Sequence, residues 1–261
     1  MSSKNLIDVI TETPNVLGQI YSDLASPSVK AIGSALGTVF EFSTSFLLPV
    51  KLLNEKFKAN FAKRLDEYQK KLLDIPEEKR CEVHPQIGTP IIEKLSYTTT
   101  DEIADLFTTL LANASNQDTA NLAHPSFIGI IEKLSTDEAR IIQYLKGKAF
   151  VEYCDVRANI KNGRGFNTIL PRQTLLQKYV TLDYPQNIQV YLDNLICLGI
   201  LEDQVGLNKT NEKGTDEIKD FIHFNNLTSR LVPSIYASLD IHRGFFNVTD
   251  LGKMFINACI K

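Results

Sequence analysis

An uninterrupted helical pattern runs from about Ser28 to Leu73, and no small domain can hold it without help. Apolar residues at Val29, Ile32, Leu36, Val39, Leu47, Val50, Leu53, Phe57, Phe61, Leu65, Tyr68 and Leu72 follow three- and four-residue steps, with Ser43 the soft position. A continuous helix of that extent spans on the order of 65 Å at the usual 1.5 Å per residue. It must bend back, break, or reach outside its own domain. Pro49 is the only breaker within it, since a proline removes a backbone donor and bends the rod. The two halves differ. From Lys51 the helix is an amphipathic scaffold with Lys56, Lys63, Arg64 and Lys70 on its polar face. From Ala31 to Val50, Phe40, Phe42, Phe46 and Leu48 add a second apolar face, and Glu41 is the single charge.

Two solvents for that second face compete. About twenty apolar residues can cross a hydrocarbon core of ~30 Å, and the small steps Ala31, Gly33, Ala35 and Gly37 allow close helix packing. Against insertion, a carboxylate such as Glu41 costs roughly 2.5 kcal/mol or more at mid-bilayer, and Pro49 with the Ser and Thr cluster lowers hydropathy further. Burial in a helical bundle or an oligomer is favoured, with membrane contact as the alternative. The expected interaction surface is Gly33, Gly37, Phe40, Glu41, Phe42, Phe46 and Leu48.

The rest of the chain reads as two domains. Its 261 residues suffice for two cores, and the net charge of -3 advertises no general affinity for nucleic acid. The start, MSSKNLIDVI, lacks a basic, apolar and small-residue signal. Cys81, Cys154, Cys197 and Cys259 are widely spaced and form no Cys-x-x-Cys pair, which fits cytoplasmic thiols. A first helix is expected from Leu6 to Leu24, broken or kinked at Pro14, and a loop or short-helix hinge over Asp74 to Pro90. Capping boxes at Thr99-x-x-Glu102 and Ser135-x-x-Glu138 open two helices, and a short one starts at His124-Pro125-Ser126. The boundary is placed near Ser135, giving a helical region over residues 1 to 134 and a second domain over 135 to 261.

Past that boundary the order is helix, strand over Phe150 to Ile160, helices over Gln173 to Leu182 and Gln186 to Leu198, a strand after Gly199, a polar insertion with a helix near Asp216 to Phe224, a strand over Gly244 to Thr249, and a last helix. This is the order of a winged-helix domain. The expected fold class is therefore mainly α, with a long central helix followed by a winged-helix-like α+β domain.

A winged helix invites a reading as a DNA-binding module, which needs cations against phosphates and base edges. The would-be recognition helix, Gln186 to Leu198, has no Arg or Lys and contains Asp193, so nucleic acid is the less favoured partner. Arg157, Lys161, Arg164, Arg172 and Lys178 are the residues that could touch it. Cys81-x-x-His84 is a lone metal half-site, and His124, His223 and His242 have no ligand-spaced partner. Paired acids for hydrolysis would come from Glu77 and Glu78 or from Asp101, Glu102 and Asp105, but helix starts and solvated turns attract such residues anyway. No phosphate loop, nucleophile elbow or cofactor motif is present, and no small-molecule substrate is evident.

Read in order, AIGSALGTVFEF, LLPVKLLNEKF, IPEEK, HPSFIGIIEKLSTDEARII and VTDLGKMFINAC resemble the abortive-infection alpha (Abi-alpha) family of bacterial proteins. The resemblance runs from about Ser28 onward, with the stretch from HPSF to DEA the most specific. It implies anti-phage defence, in which an infected cell stops growing or dies before phage mature. It brings no enzymatic activity and no catalytic residues. The expectation is thus a cytoplasmic defence effector or sensor, with no catalytic, metal or cofactor site assigned. It would work as a homo-oligomer or with a partner protein, with membrane association as a further route; the alternative function is a nucleic-acid-binding regulator that uses the C-terminal winged-helix-like domain.

Overall fold

The computed structural model describes residues 18–25, 34–35, 55–163, 165–204, 213–229, 231 and 234–261. The segment 31–50 therefore lies outside the described residues apart from Ser34 and Ala35, and with it Gly33, Gly37, Phe40, Glu41, Phe42, Phe46 and Leu48; Arg164 lies outside them too. Within them the chain is mainly α, with an α+β C-terminal part, and forms two compact units. The first holds residues up to Ala139 together with Asn257–Lys261, and the second is Arg140–Ile256.

In the first unit a helix over 18–24 (α1) precedes α2 (Glu55–Leu73), α3 (Pro85–Tyr97), α4 (Asp101–Ala114) and α5 (Ser126–Ile131). The described part of the long sequence pattern folds because Phe61, Leu65, Tyr68 and Leu72 fall on one face and are all buried. Each such side chain contributes about 1.5–3 kcal/mol of burial. They pack with Ile91 and Leu95 of α3 and Leu106, Phe107 and Leu110 of α4 in a core of aliphatic and aromatic residues.

Several local expectations change. Residues 85–90 of the hinge region belong to α3: Pro85 occupies its first turn, where the missing donor is harmless, and the His84 ring accepts the Gln86 N–H at 3.3 Å. Pro90 is carried inside α3. The Thr99 capping box does not form; Thr100 stands at the cap of α4 and makes no side-chain cap bond. The Ser135 box does form: Glu138 Oε2 accepts from the Ser135 N–H at 2.6 Å, and Ser135 Oγ accepts the Glu138 N–H at 3.3 Å. It opens α6 (Thr136–Leu145).

The second unit is built on a four-stranded antiparallel sheet of β1 (Phe150–Ile160), β2 (Phe166–Gln173), β3 (Leu201–Asp203) and β4 (Tyr236–Val248), in the order β2-β1-β4-β3. Its helices are α7 (Leu176–Tyr179), α8 (Ile188–Cys197), α9 (Lys213–Phe221), α10 (Phe224–Ser229) and α11 (Asp250–Cys259), whose last residues belong to the first unit. Strand β2 is unforeseen, and β4 begins at Tyr236 rather than Gly244. Both follow from the length of β1, whose Phe150 faces Asn247 and whose Ile160 faces Tyr236, so the two strands pair from end to end. The outer part of this ribbon has its own small core of Val156, Ala158 and Leu239, packed by Ile222, Phe224 and Leu227 from the polar insertion. Helix α8 ends as its sequence requires. Gly199 takes φ 74, and the N–H of Ile200 reaches the Leu195 carbonyl at 2.9 Å, closing the helix and turning the chain into β3.

Candidate functional site

Part of the charged face of α2 is turned inward, with Arg64 and Lys71 drawn toward α4 while Lys63 and Lys70 stay exposed. Arg64, expected on the polar face, is 1% exposed. Its guanidinium donates to the Thr99 carbonyl at 2.9 Å and the Thr98 carbonyl at 3.4 Å, and pairs with Glu67 at 2.9 Å and Asp101 at 2.8 Å. Asn60 adds a bond to the same Thr98 carbonyl at 2.8 Å. These donors hold the tight α3–α4 connection by satisfying its carbonyls. Lys63 binds Asp101 at 2.7 Å, and Lys71 binds Asp105 at 2.6 Å and the hydroxyls of Thr108 and Thr109. Burial pulls the Lys71 ammonium below its ordinary range, against the raising effect of Asp105. Asp101 and Asp105, candidates for acid chemistry, thus hold α4 against α2.

The metal half-site has a similar fate. The Cys81 thiol donates to the Ala114 carbonyl at 3.6 Å, and His84 caps α3. His124 orders its turn, accepting the Ser126 N–H at 3.2 Å. Among the described residues no three His, Cys, Asp or Glu side chains converge as a metal would need, and no helix is long and apolar enough to cross a membrane.

In the second unit the expected nucleic-acid contacts separate into two kinds. Arg157 and Arg172 are tied to acids of the unit itself. Asp155 sits at a register break between β1 and β2, where it accepts from the Arg157 guanidinium at 3.1 Å and from the Arg172 N–H at 2.9 Å. The Arg172 side chain then pairs with Asp193 on α8 at 2.7 Å, which raises its pKa, while its carbonyl accepts from Gln189 at 3.1 Å. Arg157 also lies 4.4 Å over the Phe166 ring. Lys161, in the turn after β1, and Lys178, on α7, are exposed. The structure therefore makes the two arginines brackets for β2 and α8, and leaves two lysines on the surface.

Helix α8 buries Ile188, Tyr191, Leu192 and Leu195. Its outward face carries Val190, 64% exposed, then Asp193 and Cys197, and the turn before it presents Tyr184, 60% exposed. No cation stands on this helix. Sequence spacing alone could have found this face, because Val190, Asp193 and Cys197 are one helical step apart.

A second concave feature lies at the start of β1. A cleft of about 300 Å³ is bordered by Tyr144 and Lys148 from the end of α6 and its following turn, Glu152 on β1, Tyr179 on α7, and Gly214 and Glu217 on α9. The Tyr144 and Tyr179 rings stack at 6.1 Å with 8° between their planes, and the Tyr179 hydroxyl donates to Glu217 at 3.0 Å. Burial pushes the Glu152 carboxyl up, Glu217 adds to the rise, and Arg243 opposes it. These residues come from four separate stretches, so no motif announced them.

No relative is found among the curated proteins. Among solved structures, an uncharacterized protein from the hydrocarbon-degrading marine bacterium Alcanivorax borkumensis SK2 matches at 19% identity, covering 56% of this chain and 96% of that one, with a TM-score of 0.33. The likeness is too distant to inform function. The model of the family described as "Abortive infection alpha" matches residues 54–259, a span that takes in both units and begins after AIGSALGTVFEF. The chain belongs to the abortive infection alpha family.

Proposed function

We propose that the chain is a non-enzymatic component of abortive-infection defence against phage, working through protein association, and that its second unit is a winged helix adapted to that task. Family membership supports the defence role. Support for the winged-helix reading comes from the order α6, β1, α7, α8, β3, β4, α11, with β4 between β1 and β3, and β2, α9 and α10 as additions. Helix α8 then stands where a DNA reader would place its recognition helix. The observation that carries the proposal is the outward face of that helix. It offers Val190, Asp193 and Cys197, and the nearest arginine, Arg172, is bound to Asp193. A phosphate backbone demands cations at this place, whereas an apolar residue beside a charge pair suits another protein.

The occupant we assign is a second copy of the chain. Arg172 and Asp193 supply both signs beside Tyr184 and Val190, so the face meets the requirement of a two-fold contact, in which each patch must complement itself. Residues 31–50 offer a second association surface, by the sequence argument, to protein or lipid. Phage challenge of cells expressing wild type and Val190→Glu tests the reading, alongside duplex-DNA binding at two salt concentrations. Protection is lost in the variant, and wild type shows no salt-dependent duplex affinity. Retained protection in Val190→Glu, or duplex binding that weakens steeply with salt and on Arg172→Ala, would sink it. Flotation with liposomes, wild type against Gly37→Glu, decides between protein and lipid for residues 31–50.

A further inference from the structure

The cleft at the start of β1 has no role in the association just proposed, yet it is built as a receptor. Its floor is apolar, formed by Val151, Leu176 and Ile218, all buried. One wall is the Tyr144–Tyr179 stack, and Lys148 Nζ lies 4.4 Å over the Tyr144 ring, so this aromatic surface already receives one ammonium. Beside this stack the lining is acidic. Glu152 reaches in from β1 and Glu217 from α9, with the Tyr179 hydroxyl orienting the second carboxylate at 3.0 Å.

Gly214 completes the site. The Glu152 carboxylate lies so near the Gly214 Cα that any side chain there would overlap it. A larger residue would push this flexible carboxylate out of its present position. The geometry is costly for the protein: two glutamates face one space, and burial pushes the Glu152 carboxyl up, a rise that Arg243 offsets only in part and Glu217 adds to. A positive group entering between them would relieve both effects, and an anion would meet repulsion.

We propose that this cleft binds an organic cation, an ammonium or guanidinium on a short aliphatic stem, with the charge between Glu152 and Glu217 and the stem against Val151, Leu176 and Ile218. A volume of about 300 Å³ suits a diamine or one basic side chain, and the two carboxylates disfavour a phosphate. The cation has two possible sources, a free amine or a lysine of another protein, and both present the same chemistry to the cleft.

The test is an amide NMR titration of the full chain with 1,4-diaminobutane and, separately, with an N-acetylated, C-amidated Gly-Lys-Gly peptide. Saturable shifts are expected at Gly214 and Ile218. Affinity falls roughly tenfold or more in the Glu152→Gln, Glu217→Gln double variant, the loss of a charge-assisted pair. Glu202→Gln, on β3 and outside the cleft, leaves affinity unchanged. Tighter binding of the diamine assigns a free amine, and tighter binding of the peptide assigns a protein side chain. Tyr144→Leu keeps both acids, so it reports on the aromatic wall even if the double variant does not fold, and it also weakens binding. No saturable shift with either probe, or equal affinity in wild type and in folded Glu152→Gln, Glu217→Gln or Tyr144→Leu protein, overturns the proposal.

Discussion

The two units treat charge in opposite ways. In the first, Arg64 and Lys71 turn inward and every acid facing them on α4 is paired, so the polar groups hold helices together. In the second, Arg157 and Arg172 are likewise bracketed, but Glu152 and Glu217 face a cleft and α8 shows Val190 to solvent. Stability alone favours the first arrangement. Acids kept together in a cleft cost stability, which makes that cleft a candidate for function. The described helices of the first unit are therefore read as scaffold, and the surfaces of the second unit as working parts.

The contrast can be broken most forcefully at Arg64. Arg64→Met leaves the Thr99 carbonyl without its donor, the Thr98 carbonyl with Asn60 alone, and Glu67 and Asp101 without this partner, and should cost about 2–4 kcal/mol in urea unfolding, discounted because Asp101 itself is exposed. A loss below half a kcal/mol would mean the network is ornamental. Next comes Gly252→Ala, where the added methyl meets the Ile200 carbonyl, a backbone atom that cannot swing aside. A cost of about 1–3 kcal/mol is expected from such overpacking, read as a lowered Tm. Ser135→Ala removes the working capping box and should cost about 1 kcal/mol, while Thr99→Ala, whose box does not form, changes stability far less.

The smallest effect has the opposite sign. Glu152 has its folded pKa raised from 4.5, chiefly by burial, so the folded state binds its proton more tightly than the unfolded chain does. Stability is therefore lost as pH rises from 4.5 through the folded pKa. Glu152→Gln escapes that loss: its Tm should exceed that of wild type at neutral pH, with the gain disappearing below about pH 4.5. A variant less stable than wild type at pH 7 would show that the carboxylate is a structural group rather than one held for a ligand.

What the sequence made legible was local. The Ser135-x-x-Glu138 box and the stop at Gly199 depend on neighbours three or four residues away, and both appear as read. The stripe Phe61, Leu65, Tyr68 and Leu72 was equally plain. Strand β2 was not, because Phe-Asn-Thr-Ile-Leu-Pro-Arg-Gln has no steady alternation and is extended by pairing with β1, a tertiary effect. Arg64 was misplaced for a related reason: charge suggests solvent, and only the fold brings the Thr98 and Thr99 carbonyls to it. The cleft was invisible altogether, since Tyr144, Glu152, Tyr179 and Glu217 are united by topology. Nor does the apolar stretch 31–50, so prominent in sequence, fall within the span that defines the family.

Association through α8 is the central claim, and light scattering on a size-exclusion column tests it most directly. Wild type and Val190→Glu are run at equal concentration, with folding checked by circular dichroism. The account predicts that wild type elutes with at least twice the mass of one chain and that the substitution lowers that mass. A single-chain mass for wild type at tens of micromolar, or an unchanged oligomer in Val190→Glu, would contradict it.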